Sequence, residues 1–383
     1  MDIFGIREQN IKTVINAIRF ENGITKKEIA EKTGLSFATV SNLCNELIEQ
    51  NVLMTEKKLI PTVGRTPSDI FFNVDRFNTI CINLQLKGVM GFAILNFRNE
   101  IIFQKKYDIH HLNSAEKIIS FAYDVFKKDY LDGNHSDIVF IGVGVAVSSI
   151  YDLNSEQLIN SAIDLFTDVP LKKIVIETFG IPAYIDNESN LCALSVAKSI
   201  NQWSDIVYLH ISEGVGVGVI VNGKLLRGKN GYGGEVAHMP VGDPNLKCSG
   251  CGFYGCVEES LSINGFIREM FGAVGSDKTV KWDQYVQLLK ERDEKAVTLA
   301  RKNGGILGKL SSVLINIFDP EAFYIGGDIT AIFPFIKDAF EEEIKNRSPL
   351  IADKDLKIIC DAESEKTINI GINEEICNSW LPL

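Results

Sequence analysis

Gly234-Glu235-Val236-Ala237-His238-Met239-Pro240-Val241-Gly242-Asp243-Pro244-Asn245-Leu246-Lys247-Cys248-Ser249-Gly250-Cys251-Gly252-Phe253-Tyr254-Gly255-Cys256-Val257-Glu258 gathers three cysteines, one histidine and three acids into twenty-five residues. The cysteines follow a Cys-x2-Cys-x4-Cys spacing, with a histidine nearby. Three thiolates and one imidazole make a closed tetrahedral set suited to structural zinc. A disulfide or a redox Cys-x-x-Cys pair are the other uses of such thiols. The chain opens Met1-Asp2-Ile3-Phe4-Gly5-Ile6-Arg7-Glu8, with no basic run leading into an apolar one. No secretory leader is therefore expected, and the protein is read as cytoplasmic. In that compartment eight cysteines point to metal or free thiols before disulfides.

Upstream of this stretch, strands alternate with helices. Ile80-Cys81-Ile82, Gly91 to Leu95 and Ile101-Ile102-Phe103 read as strands, and Ser114 to about Lys128 as a helix. Ile138 to Val147 is a continuous apolar run of a buried strand, followed by a helix from Leu171 to Phe179 and a short strand at Ala183-Tyr184-Ile185. Asp205 to Val221 reads as two strands around a glycine-rich turn, and the remainder as largely helical. Such alternation implies an α/β fold with open sheets. A length of 383 residues predicts two or three domains, and no apolar run is long enough to span a membrane.

The first seventy-five residues differ. Ile11, Val14, Ile15 and Ile18 recur at helical spacing until Asn22-Gly23 breaks the pattern. Thr25-Lys26-Lys27-Glu28 has the form of a capping box that opens a second helix. Thr33-Gly34-Leu35 turns the chain, and Ser36 caps a third helix with Val40, Leu43, Leu47 and Ile48 on its inner side. Two short helices joined by a glycine turn make a helix-turn-helix. Its second helix would offer Ser36, Phe37, Thr39, Ser41, Asn42 and Asn45 to base edges in the major groove. Val52 to Ile60 reads as a hairpin arm, and Gly64-Arg65-Thr66-Pro67 as its tip or exit, with Arg65 placed for a minor groove or a phosphate. The whole chain carries a net charge of −11, which argues against a protein that coats nucleic acid indiscriminately. Residues 1–75, however, hold nine basic and ten acidic residues and are close to neutral, so one basic face suffices for DNA.

Five segments in order carry a resemblance: Ile185-Asp186-Asn187-Glu188-Ser189-Asn190, Gly214-Val215-Gly216-Val217-Gly218, Gly234 to His238, Cys248 to Glu258, and Ile325-Gly326-Gly327. Residues 79–383 resemble the ROK family (repressors, open reading frames and kinases), and residues 7–75 resemble the winged module of its repressor branch, Gly64 to Pro67 included. The resemblance implies an actin-like, two-lobed sugar-kinase (ribonuclease H-like) fold of the α/β class, preceded by an α+β winged helix-turn-helix domain. The expected divisions are 1–75 for the DNA-binding domain, 76–190 for the first lobe and 191–362 for the second lobe with the metal loop and sugar site. A C-terminal helix at 363–383 is expected to pack back on the first lobe. The resemblance assigns His238, Cys248, Cys251 and Cys256 to the metal. The family's usual spacing between the first two cysteines is one residue; here it is two. It assigns Asn187, Glu188, Glu235, His238 and Glu258 to a sugar, whose hydroxyls carboxylates and amides hold by short charge-assisted bonds.

The same resemblance separates this chain from the kinases. Glu188 stands where they usually carry an Asp as base, one methylene shorter. Their Asp-x-Gly-Gly-Thr phosphate hairpin is replaced by Ile82-Asn83-Leu84-Gln85-Leu86-Lys87-Gly88, and their Gly-Thr-Gly loop by Ser212-Glu213-Gly214. An acid beside a γ-phosphate repels it. The expected function is thus a sugar-responsive DNA-binding regulator, a repressor of carbohydrate-utilisation genes, that uses zinc and no ATP. Its partners would be a palindromic operator bound by a homodimer or a dimer of dimers, and a sugar or sugar phosphate. The alternative is an active ATP-dependent sugar kinase with an accessory N-terminal domain.

Overall fold

The computed structural model describes residues 3–57, 68–84, 88–133, 137–159, 164–200, 203–275, 278–347 and 356–382. Helices α1 (Ile3–Ile18), α2 (Lys26–Thr33) and α3 (Phe37–Glu49) precede strands β1 (Leu53–Lys57) and β2 (Ser68–Phe72), which pair antiparallel. Thr25 makes the full capping box with Glu28, and Gly34 ends α2 at φ +69, a left-handed turn in which an L side chain is strained. Ile11, Val14, Ile15, Ile18, Val40, Leu43 and Leu47 are buried together, with Cys44 added on α3. β1 covers Leu53–Lys57 of the expected arm. The segment 58–67, with the expected tip and Arg65, lies outside the described residues.

Two five-stranded sheets follow. In the first, β3 (Phe77–Leu84), β4 (Val89–Asn96) and β5 (Ile101–Asp108) meander antiparallel, then β6 (Val139–Val147) and β9 (Ala183–Asn187) add in parallel, giving the order β5-β4-β3-β6-β9. Helices α4 (Ala115–Val125) and α5 (Leu171–Phe179) cover one face, while β7 (Ile150–Asp152) and β8 (Gln157–Ile159) form a small hairpin. The helix expected to run to Lys128 leaves α geometry at Phe126 and finishes as a π turn.

The second sheet repeats the plan. Strands β10 (Ile206–Ile211), β11 (Val215–Val221) and β12 (Lys224–Leu225) meander, and β13 (Ala322–Gly326) and β14 (Lys357–Asp361) add in parallel, in the order β12-β11-β10-β13-β14. β12, β13 and β14 fall where the sequence read as largely helical. A short apolar run such as Ala322 to Gly326 has no period that separates a buried strand from a helix. Helices α7 (Val257–Leu261), α8 (Ile263–Phe271), α9 (Lys278–Lys290), α10 (Glu294–Phe318) and α11 (Phe333–Arg347) pack around this sheet.

α6 (Glu188–Ile200) and α12 (Ser364–Ser379) lie between the sheets, α6 against β10 and β11, α12 against β3 and β6, and each against the other. Glycines make these approaches possible. A Cβ on Gly218 would sit 2.1 Å from the Ser189 carbonyl oxygen, so alternate glycines on β11 cut the groove that seats the start of α6. This is the physical content of Gly214-Val215-Gly216-Val217-Gly218: the valines face the second core while Gly216 and Gly218 admit a helix. The winged module is joined to the first sheet by continuous packing, with Phe72 stacked on Phe97 at 4.2 Å between ring centroids and Trp380 edge-on to Phe97 at 5.5 Å. The two-lobed α/β architecture preceded by a winged helix-turn-helix is therefore as the resemblance implied. Among the described residues no helix is long and apolar enough to cross a membrane.

Candidate functional site

β9 ends at Asp186-Asn187 and α6 begins at Glu188. Asn187 caps that helix: its Oδ1 accepts from the Asn190 N–H at 2.8 Å and the Ser189 hydroxyl at 3.3 Å. The amide oxygen expected to face a sugar is thus spent on the helix. Glu188 Oε1 accepts from the Ser148 hydroxyl at 2.7 Å, while its Oε2 is buried and accepts from no described group. Burial pushes the Glu188 carboxyl up to about 7, and the charges of Glu235 and Glu258 add to the rise. Glu258, on α7, is likewise pushed up to about 7 by burial, although its Oε2 accepts from the Val215 N–H at 3.0 Å. Glu235 is exposed at the rim, yet the protein crowded around it still raises its carboxyl. The structure therefore gathers three carboxylates from three segments, one of them with an unmatched buried oxygen. Hydroxyl donors are what such a set lacks.

His238, Cys248, Cys251 and Cys256 converge, with all four donor atoms within 4.8 Å of one another. Cys248 Sγ lies 3.7 Å from His238 Nδ1, and Cys251 Sγ lies 3.4 Å from Cys256 Sγ. A tetrahedron with metal–sulfur bonds of about 2.3 Å has edges of about 3.8 Å, so the donor set fits a four-coordinate cation. The longer first spacing does not remove Cys248, which is buried like Cys256, while Cys251 is half-buried and His238 exposed. Burial and the neighbouring thiols push Cys256 up to about 12, a penalty that a bound cation would offset. Behind the knuckle, buried Glu259 accepts from Ser249 N–H at 3.0 Å and from Arg268 Nε at 2.5 Å, tying the loop to α8. Sequence reading missed both residues. The adjacent acids Glu258-Glu259 after Cys256, with Arg268 nine residues beyond the second, were the available signal.

The residues around the β10–β11 turn have different chemistry. Glu213, at the β10–β11 turn, pairs with Lys278 of α9, so its charge is matched within the protein. Asp328 follows Gly327, its N–H donating to Ser212 Oγ at 3.2 Å, and burial raises its carboxyl. His210 is buried beside Ser212, 3.4 Å away, and burial lowers its imidazole to about 4.

On α3, Phe37, Asn42 and Asn45 are exposed, Thr39 and Ser41 half-buried. Ser36 accepts from Thr39 N–H at 3.1 Å and shares a hydroxyl bond with Thr39 at 2.8 Å, so these two side chains cap the helix. Lys26, not anticipated, reaches from α2 to Asn45 Oδ1 at 2.6 Å and Ser41 Oγ at 3.3 Å. An ammonium only donates, so it fixes Asn45 with its Oδ1 inward and its Nδ2 free.

Comparisons with known proteins agree with this architecture. The ROK family profile matches residues 92–365, and a profile described as winged helix-turn-helix DNA-binding matches residues 7–54. The chain is 27% identical to the xylose repressor of Caldicellulosiruptor bescii, over 96% of this chain and 94% of that protein. It is 27% identical to the xylose repressor of Bacillus spizizenii, over 89% and 88%. A crystal structure of a ROK family transcriptional regulator, described as a homologue of the Escherichia coli MLC protein, superposes with a TM-score of 0.80 at 20% identity, over 97% of each chain.

Proposed function

The chain belongs to the ROK family, and from that premise we propose that it is a sugar-responsive, DNA-binding transcriptional repressor and not an enzyme. The observation that carries this is the pairing, on one chain, of a winged helix-turn-helix with a cleft holding Glu188, Glu235 and Glu258, one oxygen of Glu188 lacking a donor. The effector is an aldose, with D-xylose the first probe, as the two relatives are named xylose repressors. Glu188, Glu235 and Glu258 hold its hydroxyls, Asn187 lends its Nδ2, and the ring nitrogen of His238 turned from the cysteines reaches the same ligand. The metal is zinc, held by His238, Cys248, Cys251 and Cys256, and its chemistry there is structural. Bound there, it would hold the loop so that His238 and Glu258 keep a fixed relation. The protein works in the cytoplasm as a homodimer or a dimer of dimers on a palindromic operator. Phe37, Asn42 and Asn45 read bases, and Arg65 on the wing meets phosphate or minor groove. Residues 1–75 form the reading domain, 76–190 with the C-terminal helix 363–383 the first lobe, and 191–362 the second.

The test is selection of duplexes from a random pool by the full-length chain, then challenge of the selected duplex with a sugar panel. A two-fold symmetric site released by one sugar is expected. A chain that enriches no sequence would refute the reading.

A further inference from the structure

Glu374 and Glu375 are neighbours on α12, and each pairs with a different part of the molecule. Glu374 faces the winged module. Its Oε2 accepts from Arg19 Nη1 at 2.9 Å and its Oε1 from Asn99 Nδ2 at 2.7 Å. Arg19 follows the end of α1, and it also donates through Nε to the Phe97 carbonyl and through Nη2 to Asn99 Oδ1 at 3.2 Å. The β4–β5 turn returns the grip, since Arg98 Nε donates to the Arg19 carbonyl at 2.8 Å and Arg98 Nη2 to that of Glu21 at 2.5 Å. Glu375 faces Arg227. Its Oε1 lies 3.5 Å from Arg227 Nη2, and Arg227 Nη1 lies 2.6 Å from Asp186 Oδ2. The carbonyl of Arg227 accepts from the Gly233 N–H at 2.9 Å, two residues before Glu235. Asp186 Oδ1 accepts from the Asn187 N–H at 2.8 Å, one residue before Glu188. Arg227 thus stands between the two segments that carry Glu235 and Glu188.

The two pairs differ in how freely they can change. The Arg19 and Glu374 side chains are 2% and 1% exposed, and separating a buried, multiply bonded pair strands a charge. Arg227 and Glu375 are 28% and 29% exposed and already 3.5 Å apart, a contact with room to close or open. The helix between them is seated in notches. A Cβ on Gly144 would meet Ile372 at 2.2 Å, and one on Gly371 would meet the Leu191 carbonyl at 2.0 Å. A helix packed this closely moves as a body.

From this juxtaposition we infer that α12 transmits occupancy of the sugar cleft to the winged module, with Arg227–Glu375 as the adjustable input and Glu374–Arg19 as the fixed output. The inference rests on the sugar-responsive reading above. A ligand that spans Glu188 and Glu235 changes the spacing between β9 and the Gly233–Glu235 loop. Arg227 is tied to that loop by its backbone, so its guanidinium redistributes between Asp186 and Glu375. The change in pull on Glu375 shifts α12, and the module follows through Arg19. Both sites then bias one two-state element, which is the physical requirement for coupling.

Glu375→Gln in the full chain tests the input, because it keeps shape and removes charge. Operator affinity without sugar and D-xylose affinity without DNA should each stay within about threefold of the unsubstituted chain. The sugar's effect on operator affinity should fall from the roughly 5–150-fold of ordinary allosteric systems to under twofold. A full sugar effect in this variant overturns the relay. A second measurement needs neither sugar nor DNA: hydrogen exchange of residues 15–24 in Arg227→Gln, shown by thermal melting to be folded. Exchange there should rise at least about threefold, and unchanged exchange overturns the relay. Failure of the unsubstituted chain to bind DNA or answer any sugar would instead defeat the repressor reading, and the exchange result would still decide the relay.

Discussion

Two sides of the candidate site differ in chemistry, although elements around the second sheet contribute to both. On the side lined by α6, the Gly234 loop and α7, three carboxylates are raised by burial and one oxygen waits for a donor. On the side of the β10–β11 turn and Gly327, Glu213 is paired with Lys278 and the acid Asp328 sits beside Ser212. The first side is short of hydrogen-bond donors, which a sugar supplies. On the second, Lys278 already matches Glu213, and Asp328 adds an acid where a polyphosphate would need a donor.

The contrast breaks most drastically if the knuckle is lost, because the loop that carries His238 also leads to Glu258. Cys256→Ser should bind less than a tenth of an equivalent of zinc, against one for the parent by metal analysis. Its melting temperature should fall by about 10 °C or more, as expected when metal-binding energy is folding energy. Next come the acids. Glu258→Ala or Glu235→Ala should weaken D-xylose binding about 10–150-fold in calorimetric titration, the usual cost of a lost charged hydrogen bond. Operator affinity should stay unchanged. Loss of DNA binding in a folded variant would show that these acids serve structure instead.

A smaller effect separates burial from ligand binding. A carboxyl raised in the folded chain stabilises it fully below its unfolded value of 4.5, and that contribution is lost as pH rises through about 7. Between pH 5 and 9 the unliganded chain should lose about 2–3 kcal/mol through Glu188, at about 1.4 kcal/mol per unit. Denaturant melts of Glu188→Gln should lack that part of the slope. Smallest is Lys26→Met. Freed from the ammonium, Asn45 can turn its amide, so base preference at its contact should broaden by about 1 kcal/mol in a half-site substitution series.

Much of this is legible in the sequence. Thr25, Gly34 and Ser36 declare helix ends by local hydrogen bonding, and those ends fall where the residues put them. Cys248, Cys251 and Cys256 are close in sequence, so their convergence needed only a loop. What stayed hidden depends on distant partners. Nothing near Arg19 announces Glu374, 355 residues away, and nothing near Glu188 announces that Ser148 will donate to it. Ser36, Thr39 and Asn187 carry polar groups suited to a ligand, but local backbone N–H groups or side chains claimed them first. β13 and β14 escaped because short strands lack a readable period.

The contrast between the two sides is tested most directly by one titration: D-xylose and Mg-ATP, separately and together, into the zinc-loaded full-length chain, with ADP followed in the same cell. One xylose bound per chain, no ATP heat and no xylose-dependent ADP are expected. Xylose-dependent ADP formation that disappears in Glu188→Ala would contradict it, because the phosphate side would then be at work.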